Sequence, residues 1–373
     1  MKKYKICHLS SAHPASDIRI FHKECVSLAK DERFDVYLLT INSRTEKINN
    51  VQLVSVESKS KNRFTRILNS SRAVYKKALE LDADIYHFHD PELLPYGLKL
   101  IRRGKIVIYD AHEDVPRQIL SKHWIPLFLR KSIANLYEKY ENYVSSRLSY
   151  IVTSTPTIEK RYKKINLKSI AVCNYPILEE NGILPDWNSR ENEMCYVGGI
   201  TVIRGIIEIV KVLENDNKLR VNLAGAFSPL GLREDLQKSK AWQQVNEYGV
   251  VDRNKVVEIL NKSKIGMVTL HPKANYIDSL PIKMFEYMYA GIPVIASNFP
   301  LWEEIILESR CGYCVDPFNI QETTRLIQNL LSNDSLAKEM GGNGRKAVLE
   351  KYNWRIEEKK LISIYLKLLI YEN

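Results

Sequence analysis

The stretch Asp278-Ser-Leu-Pro-Ile-Lys-Met-Phe-Glu286, continued by Tyr-Met-Tyr-Ala-Gly-Ile-Pro-Val-Ile-Ala-Ser297, decides the fold of this chain. Pro281 fits the first helical turn, where its missing N–H is not needed, and Gly291 fits the position just past a helix end. The pattern therefore predicts a helix that opens immediately after Asp278 and, beyond a turn, a buried strand at residues 293–296. Free N–H groups at such a helix start attract phosphate, and a nearby carboxylate accepts hydrogen bonds from hydroxyls. Phosphate beside vicinal hydroxyls describes a sugar nucleotide, which is our first hypothesis.

Strands and helices alternate on both sides of this stretch. The predicted strands lie at 5–9, 36–40, 53–56, 84–90, 105–109, 151–155 and 170–172, and then at 194–197, 220–224, 265–270 and 293–296. Such alternation predicts an α/β fold with doubly wound parallel sheets. The chain of 373 residues is too long for one ordinary core, and it fits two Rossmann-like lobes that face a cleft.

The predicted lobes are residues 1–177 and 191–353, joined by a polar linker around 179–192. A final helix, 354–371, crosses back to the first lobe, so that residues 354–373 belong with it. Ligands of such sheets bind outside the carboxyl ends of the strands. The polar segments 11–13, 87–90 and 110–114 are expected at that edge of the first lobe.

Charge is distributed unevenly between the two halves. Residues 1–186 carry 31 Lys and Arg against 21 Asp and Glu, whereas residues 187–373 carry 24 against 23. A basic half indicates contact with a polyanion, either nucleic acid or an anionic membrane surface, and a solubilising surface bias is the simpler alternative. No signal peptide or apolar run of about 20 residues is visible, and the scattered cysteines fit reduced thiols. We therefore expect a cytoplasmic protein, with the inner face of the cell membrane as a place of contact.

A second informative segment is Tyr196-Val-Gly-Gly199-Ile-Thr-Val-Ile-Arg204-Gly205. A strand runs into a Gly-Gly turn, where backbone can approach a ligand closely, and Arg204 follows at the next helix start. Because a guanidinium holds phosphate through a planar fork, the segment fits a diphosphate cradle, although an ordinary turn is the alternative. It is not G-x-G-x-x-G, which argues against NAD or FAD.

In combination, these segments resemble a known family, the retaining glycosyltransferases of family four, which have the two-lobed GT-B fold. The likeness also rests on the first loop, Ser11-Ala-His-Pro-Ala-Ser-Asp17-Ile-Arg19, and on the strand Ile108-Tyr-Asp-Ala-His112. Tyr352-Asn-Trp354 resembles the start of the family's crossing helix. Two departures are visible. The first acid of the signature is usually Glu but here is Asp278, and where the family's phosphate segment has an Arg after its glycine and a Lys further on, this chain has Gly199 and then Arg204.

The resemblance implies a role for each matching residue. Glu286 would accept hydrogen bonds from the donor ribose, and Asp278 with the backbone of Ser279 and Leu280 would hold the transferred sugar. The departing diphosphate would be held at Gly198 and Gly199 and neutralised by Arg204 with Lys283, so that no divalent metal and no other cofactor is required. In the first lobe, His112 would lie near the reacting sugar, and His13, Asp17 and Arg19 at the acceptor side of the cleft.

Ordinary structural interpretations compete with several of these roles. Asp278 and Glu286 fit a solvated helix face, His112 a satisfied buried histidine, and Lys283 a surface lysine. His8, His22, His87 and His89 have no motif around them and are interpreted as structural. The segment Trp124-Ile-Pro-Leu-Phe-Leu-Arg-Lys131 fits a membrane interface and a core-packing helix equally well.

The resemblance thus implies a retaining transferase that moves a sugar to a glycan acceptor, with a UDP-sugar as the expected donor because it is the commonest in the family. The resemblance further implies a lipid-linked acceptor and a place in bacterial surface polysaccharide synthesis. A two-lobed nucleotide-sugar epimerase is the second enzyme hypothesis. A basic nucleic-acid-binding module is a third hypothesis, which the lack of an RNA-binding aromatic signature or zinc-finger spacing disfavours.

Overall fold

A computed structural model of the protein describes residues 3–58, 63–122, 124–178 and 184–370. The chain divides into two compact units, Met1–Asn174 with Trp354–Asn373, and Tyr175–Asn353. Each unit is built on one sheet, of eight and of six strands respectively. Within the described ranges, no helix is both long and apolar enough to cross a membrane.

The first unit contains an eight-stranded sheet with the order β3-β4-β2-β1-β5-β6-β7-β8. All neighbours are parallel except β3, which runs antiparallel to β4. Every residue of β5 and β6 is buried, as expected for central parallel strands covered on both faces. The strands are β1 Tyr4–Leu9, β2 Phe34–Ile41, β3 Glu46–Ile48, β4 Val51–Val56, β5 Ile85–Phe88, β6 Ile106–Ala111, β7 Tyr150–Thr153 and β8 Ser169–Ala171.

Helices cover the two faces of this sheet. The last helix, Trp354–Ile370, returns to the first unit because Trp354, Leu361 and Tyr365 pack into the same core cluster as Ile6 of β1. This confirms the predicted crossing helix. The other helices are a π-helical segment Ile18–Cys25, then Val26–Ala29, Arg63–Leu81, a short 3-10 turn Pro91–Leu93, Leu94–Ile101, Val115–Ser121, Leu127–Ser145 and Pro156–Lys163.

The second unit contains a fully parallel sheet with the order β11-β10-β9-β12-β13-β14. The strands are β9 Met194–Val197, β10 Val221–Ala224, β11 Val245–Gly249, β12 Ile265–Val268, β13 Val294–Ser297 and β14 Gly312–Val315. The direction of strand addition reverses at β9, and such a switch point opens a crevice at the carboxyl end of the strand. The α-helices are Ile206–Asn215, Leu232–Leu236, Arg253–Lys262, Ala274–Ile277, Ile282–Tyr289, Pro300–Ser309, Ile320–Ser332 and Asp334–Glu350, with 3-10 turns at Trp187–Ser189, Val202–Arg204 and Lys240–Gln244.

The two Rossmann-like units confirm the predicted fold class, but the linker was placed wrongly. Residues 179–183 lie outside the described residues. Beyond them, Trp187 is buried, and Arg190 donates to the carbonyl oxygens of Leu260 at 2.7 Å and Ala290 at 2.7 Å. Tyr175 also packs on Phe285 of the second unit, with ring centroids 4.8 Å apart. The boundary therefore falls between residues 174 and 175, where the sequence had suggested 177 and 191.

Gly266 of β12 provides a test of the packing behind this sheet. A Cβ on Gly266 would lie 2.2 Å from Cδ2 and 2.7 Å from Cβ of Tyr287. Because the clash reaches the root of the tyrosine side chain, Gly266→Ala is expected to destabilise the protein by about 1–3 kcal/mol, measured by urea denaturation.

Gly342, in the exposed part of helix Asp334–Glu350, is the matched control. A Cβ there meets nothing within 4 Å. Gly342→Ala should therefore stabilise by roughly 0.5–1 kcal/mol, the usual helical preference for alanine. Equal effects of the two substitutions would contradict the packing described for Gly266.

Candidate functional site

The Gly-Gly turn follows β9 directly, at the switch point of the second sheet. Gly198 has φ +130°, a conformation that L side chains rarely adopt. The turn after β10 crosses it so closely that a Cβ on Gly225 would lie 1.9 Å from the Gly198 carbonyl oxygen. Two glycine turns therefore pack backbone against backbone here, which no larger residue allows.

Arg204 lies against this turn. It ends the 3-10 turn Val202–Arg204, just before Gly205 and the helix Ile206–Asn215. Its Nη1 donates to the carbonyl oxygen of Gly199 at 3.3 Å, and a Cβ on Gly199 would lie only 2.7 Å from Nη1. The structure thus brings together the glycines and the arginine that the sequence had grouped.

Lys283 approaches the same turn from the helix Ile282–Tyr289. Its Nζ lies 3.7 Å from the ring centroid of Tyr196, and a Cβ on Gly198 would be 3.6 Å from it. Among the described residues this Nζ has no hydrogen-bond partner, and it is closed off from solvent. Burial, and then the charge of Arg204, lowers the pKa of Lys283 well below its usual range. The surface-lysine interpretation is therefore wrong, because the amine faces inward beside the Gly-Gly turn.

Glu286 lies one turn further along the same helix. Its carboxylate forms an ion pair with Arg253 Nη1 at 2.5 Å, and 17% of its side chain is exposed. Arg253 is the first residue of the helix Arg253–Lys262. Sequence reasoning missed Arg253, because nothing in the local pattern distinguishes it from a solvated residue at a helix start. A ligand that binds Glu286 must share this carboxylate with Arg253 or displace it.

The predicted helix start after Asp278 is wrong. Asp278 is exposed and follows the short helix Ala274–Ile277, and the next helix begins only at Ile282. Pro281 is the N-cap, with φ −70° and ψ 122°, and it disfavours helical geometry at the residue before it, Leu280. Three residues therefore separate Asp278 from the helix whose N–H groups it was expected to share.

Ser279 is also placed differently from the prediction. Its N–H donates to the carbonyl oxygen of Tyr276 at 3.0 Å, and its carbonyl oxygen accepts from Trp302 Nε1 at 2.6 Å. Both backbone groups of Ser279 are therefore engaged within the protein. Leu280, which is half-buried, remains the other predicted backbone contact for a sugar.

In the first unit, His112 follows β6 and is held by Asp110. Its Nε2 lies 2.8 Å from Asp110 Oδ2, and the imidazole is 17% exposed. Burial alone would raise the pKa of Asp110, but the charge of Arg19 and the bond to His112 hold that pKa well below its usual range. An ionised Asp110 accepts a hydrogen bond from Nε2–H of His112, which fixes the orientation of the ring. His112 is thus oriented and half-buried, rather than sealed in the core.

The structure places the three residues predicted at the acceptor side in different surroundings. These residues are Arg19, Asp17 and His13. Arg19 was expected at a cleft mouth, but it is buried, and it holds Asp110 with two bonds of 2.9 and 2.8 Å. Asp17 caps the segment Ile18–Cys25 by accepting from the backbone N–H of Arg19 and of Ile20. His13 Nδ1 lies 2.7 Å from Asp90, and its ring centroid is 5.2 Å from that of His112. Of the three, only His13 is a neighbour of His112 with a partly exposed ring.

Two family models match the chain. The model described as Glycosyltransferase Family 4 matches residues 23–174, and the model described as Glycosyl transferases group 1 matches residues 185–347. An uncharacterized glycosyltransferase of Methanocaldococcus jannaschii is 22% identical over 369 residues, which cover 91% of this chain and 92% of that protein. The two matched ranges together span both units described above.

Two solved structures share the fold over nearly the whole chain. Sucrose-phosphate synthase from Thermosynechococcus elongatus superposes with a TM-score of 0.79 at 15% identity, covering 99% of this chain and 100% of that one. HepE from Anabaena, solved in complex with UDP, superposes with a TM-score of 0.73 at 12% identity, covering 98% and 100%. At these identities the likeness concerns the fold.

The unpaired amine of Lys283 makes a prediction about stability. Lys283→Met keeps the length of the side chain but removes a buried group without a hydrogen bond, so it should stabilise the unliganded protein by about 1–3 kcal/mol. At pH values below the lowered pKa of Lys283, burial of the charged amine destabilises the folded protein by the full amount. As the pH rises from that pKa towards 10.5, the unfolded chain binds the extra proton, and the advantage of Lys283→Met should disappear.

The measurement is the free energy of unfolding of both proteins as a function of pH. Lys211→Met, at an exposed position of helix Ile206–Asn215, is the matched control and should show no such convergence. A constant difference between Lys283→Met and the wild type across this range would mean that the amine is solvated.

Proposed function

Because this chain belongs to the glycosyltransferases of family four, we propose that it moves a sugar from a UDP-sugar to a glycan acceptor, with retention of configuration at the transferred carbon. The observation that carries the proposal is the pair of basic side chains, Arg204 and Lys283, at the Gly-Gly turn after β9. One of them, Lys283, is kept without a hydrogen-bond partner in the described part of the chain, at a cost to folding. A diphosphate is the ligand that such a turn, with two cations beside it, fits best.

In the proposed reaction the bond between the sugar C1 and the diphosphate oxygen breaks, and the bond from C1 to the acceptor oxygen forms on the same face. The acceptor proton passes to the leaving phosphate oxygen. Negative charge develops on the diphosphate as it departs, and fixed cations stabilise such charge without reorganisation. Arg204 and Lys283 would supply this stabilisation, which makes a divalent metal unnecessary for the transfer. The roles of Asp278, Leu280 and His112 toward the sugar stay predictions.

UDP is proposed as the carrier because HepE, a protein of the same fold, was solved with UDP. Glu286 is the proposed ribose contact, since a carboxylate presents two acceptors to a vicinal diol. In the unliganded protein Arg253 occupies one of these oxygens. Ribose binding then exchanges the exposed Arg253 pair for two hydroxyl bonds, which is feasible because an exposed ion pair contributes little.

We predict that Glu286→Ala weakens UDP binding about 10–100-fold, because hydrogen bonds to a charged group contribute roughly 1.5–3 kcal/mol. The measurement is calorimetric titration with UDP. Glu258→Ala, which removes an exposed carboxylate from the neighbouring helix Arg253–Lys262, is the control and should bind normally. Unchanged affinity in Glu286→Ala would remove the ribose assignment.

An assay of the wild-type protein distinguishes a transferase from an epimerase. Incubated with UDP-sugars alone, a transferase releases free UDP by slow hydrolysis, whereas an epimerase forms a new UDP-sugar and releases none. Conversion of the donor without any release of UDP would contradict the proposed transfer.

We further propose that the acceptor is lipid-linked, in bacterial surface polysaccharide synthesis, and that the first unit touches an anionic membrane. The segment 124–131, which includes the start of the helix Leu127–Ser145, supports this proposal. Trp124, Leu127 and Phe128 are 64%, 77% and 81% exposed, so the core-packing interpretation is wrong for these three side chains. Of the apolar residues in this segment, Ile125 alone is buried. Exposed aromatic and aliphatic groups beside Arg130 and Lys131 form a surface suited to a membrane interface.

The double substitution Trp124→Ala and Phe128→Ala tests this contact. It should abolish most of the sedimentation of the protein with phosphatidylglycerol vesicles, because each buried apolar side chain contributes about 1.5–3 kcal/mol. Leu230→Ala, at a fully exposed leucine of the second unit, is the matched control and should sediment like the wild type. Equal sedimentation of all three proteins would exclude this surface.

A further inference from the structure

Three histidines of the first unit, interpreted from the sequence as unrelated structural residues, meet a glutamate in its interior. His8 lies on β1 and His87 on β5, and the parallel register places the two directly side by side. His89 follows two residues after His87 and therefore points to the same face. Glu24, in the π-helical segment Ile18–Cys25, packs above them. All four side chains are buried, with at most 2% exposure.

The distances within this cluster are those of a ligand set. Glu24 Oε2 lies 4.0 Å from His8 Nδ1, 3.9 Å from His87 Nδ1 and 4.0 Å from His89 Nε2. His8 Nδ1 and His89 Nε2 are 2.9 Å apart. Four ligands at the usual zinc bond lengths of about 2.0–2.2 Å stand roughly 3.3 Å apart at the corners of a tetrahedron. The three distances from Glu24 are longer than that value, and the distance between His8 and His89 is shorter. Movements of a few tenths of an ångström by each atom would therefore bring all four ligand atoms to bonding distance of one ion.

The carboxyl group of Glu24 is buried with few polar partners. Both of its carboxyl oxygens are buried and, within the described residues, neither accepts a hydrogen bond, although Arg19 Nε lies 3.2 Å from Oε1. His87 Nε2 is likewise buried without a hydrogen-bond partner in the described part of the chain. A buried carboxylate is costly unless it is both paired and hydrogen-bonded, and the contact with Arg19 leaves Oε2 without a hydrogen bond from any described residue.

The surroundings orient the imidazoles as a metal site requires. His89 Nδ1 lies 3.2 Å from Asp110 Oδ2, an arrangement in which a carboxylate fixes the tautomer and leaves Nε2 free to bind an ion. His8 Nε2 lies 3.2 Å from the hydroxyl of Tyr365, which turns His8 Nδ1 toward His89 Nε2, and the hydrogen bond between these two nitrogens would be replaced by bonds to the ion. His87 Nδ1 is hydrogen-bonded to the same hydroxyl at 2.6 Å, so that hydroxyl must move away from His87 when the ion binds.

We propose that His8, His87, His89 and Glu24 bind one divalent transition-metal ion of the zinc class inside the first unit. Three imidazoles and one carboxylate form a closed four-coordinate set, which is typical of a structural ion rather than of one with an open position for substrate. A second group, His89, Asp110 and His112, is less suited, because Arg19 already occupies both oxygens of Asp110. The ion takes no part in the transfer, and it joins β1, β5 and the segment Ile18–Cys25.

Metal analysis of the whole protein, expressed with zinc in the medium and purified without chelator, tests the proposal. We expect about one zinc per chain and, after replacement by Co²⁺, the strong visible absorption of a four-coordinate site. Glu24→Gln keeps the size of the side chain but removes the anionic ligand, and it should lose the metal. His22→Ala, at an exposed histidine two residues away, is the control and should retain it.

Tyr365→Phe provides a variant that leaves all four ligands in place. Its hydroxyl orients His8 through Nε2, on the side of the ring away from the ion, so its loss should weaken Co²⁺ binding about 10-fold or more. A wild-type protein without zinc and without Co²⁺ absorption would show that the cluster is a hydrogen-bonded network only. Glu24→Gln with the metal content of the wild type would also overturn the ligand set. Neither measurement uses donor or acceptor, so its outcome is independent of the proposed transfer.

Discussion

The guanidinium of Arg19 organises the polar interior of the first unit. It holds Asp110 through two parallel bonds, contacts Glu24 and donates to the carbonyl oxygen of Val172 at 2.7 Å. A planar fork with this geometry fixes the direction of the carboxylate as well as its charge. Because Asp110 stays ionised, it can orient His112 on one side and His89 on the other. The half-exposed histidine and the buried cluster thus depend on the same ion pair.

The second unit, within its described residues, contains a buried basic side chain that is not paired. In the first unit Arg19 is fully paired, whereas Lys283 lies beside Arg204 without a hydrogen bond to any described residue. A buried amine without a hydrogen-bond partner is a cost that folding alone does not explain. A functional site explains it, because an anionic ligand completes the interactions that the unliganded protein lacks.

The sequence predicted the features that depend on local pattern. Alternating strands and helices gave both Rossmann-like units, and the Gly-Gly segment with Arg204 gave the turn after β9, because glycine spacing fixes backbone geometry directly. The prediction failed where the position of a side chain depends on residues that are distant in the sequence. Arg19 turned inward to a carboxylate ninety-one positions away, and His8 met His87 only through a strand register that no local pattern encodes. The start of the helix after Asp278 failed because Pro281 can serve as N-cap as well as first-turn residue.

The return of the last helix has a consequence for synthesis of the protein. The core of the first unit includes Trp354 and Tyr365, so it cannot be completed until the helix Trp354–Ile370 has left the ribosome. The second unit is continuous from Tyr175 to Asn353 and contains all of its own strands. Domains that emerge whole can fold during translation. The unit encoded later therefore has the earlier opportunity to fold, while part of the apolar core of the first unit stays uncovered until the helix Trp354–Ile370 is made.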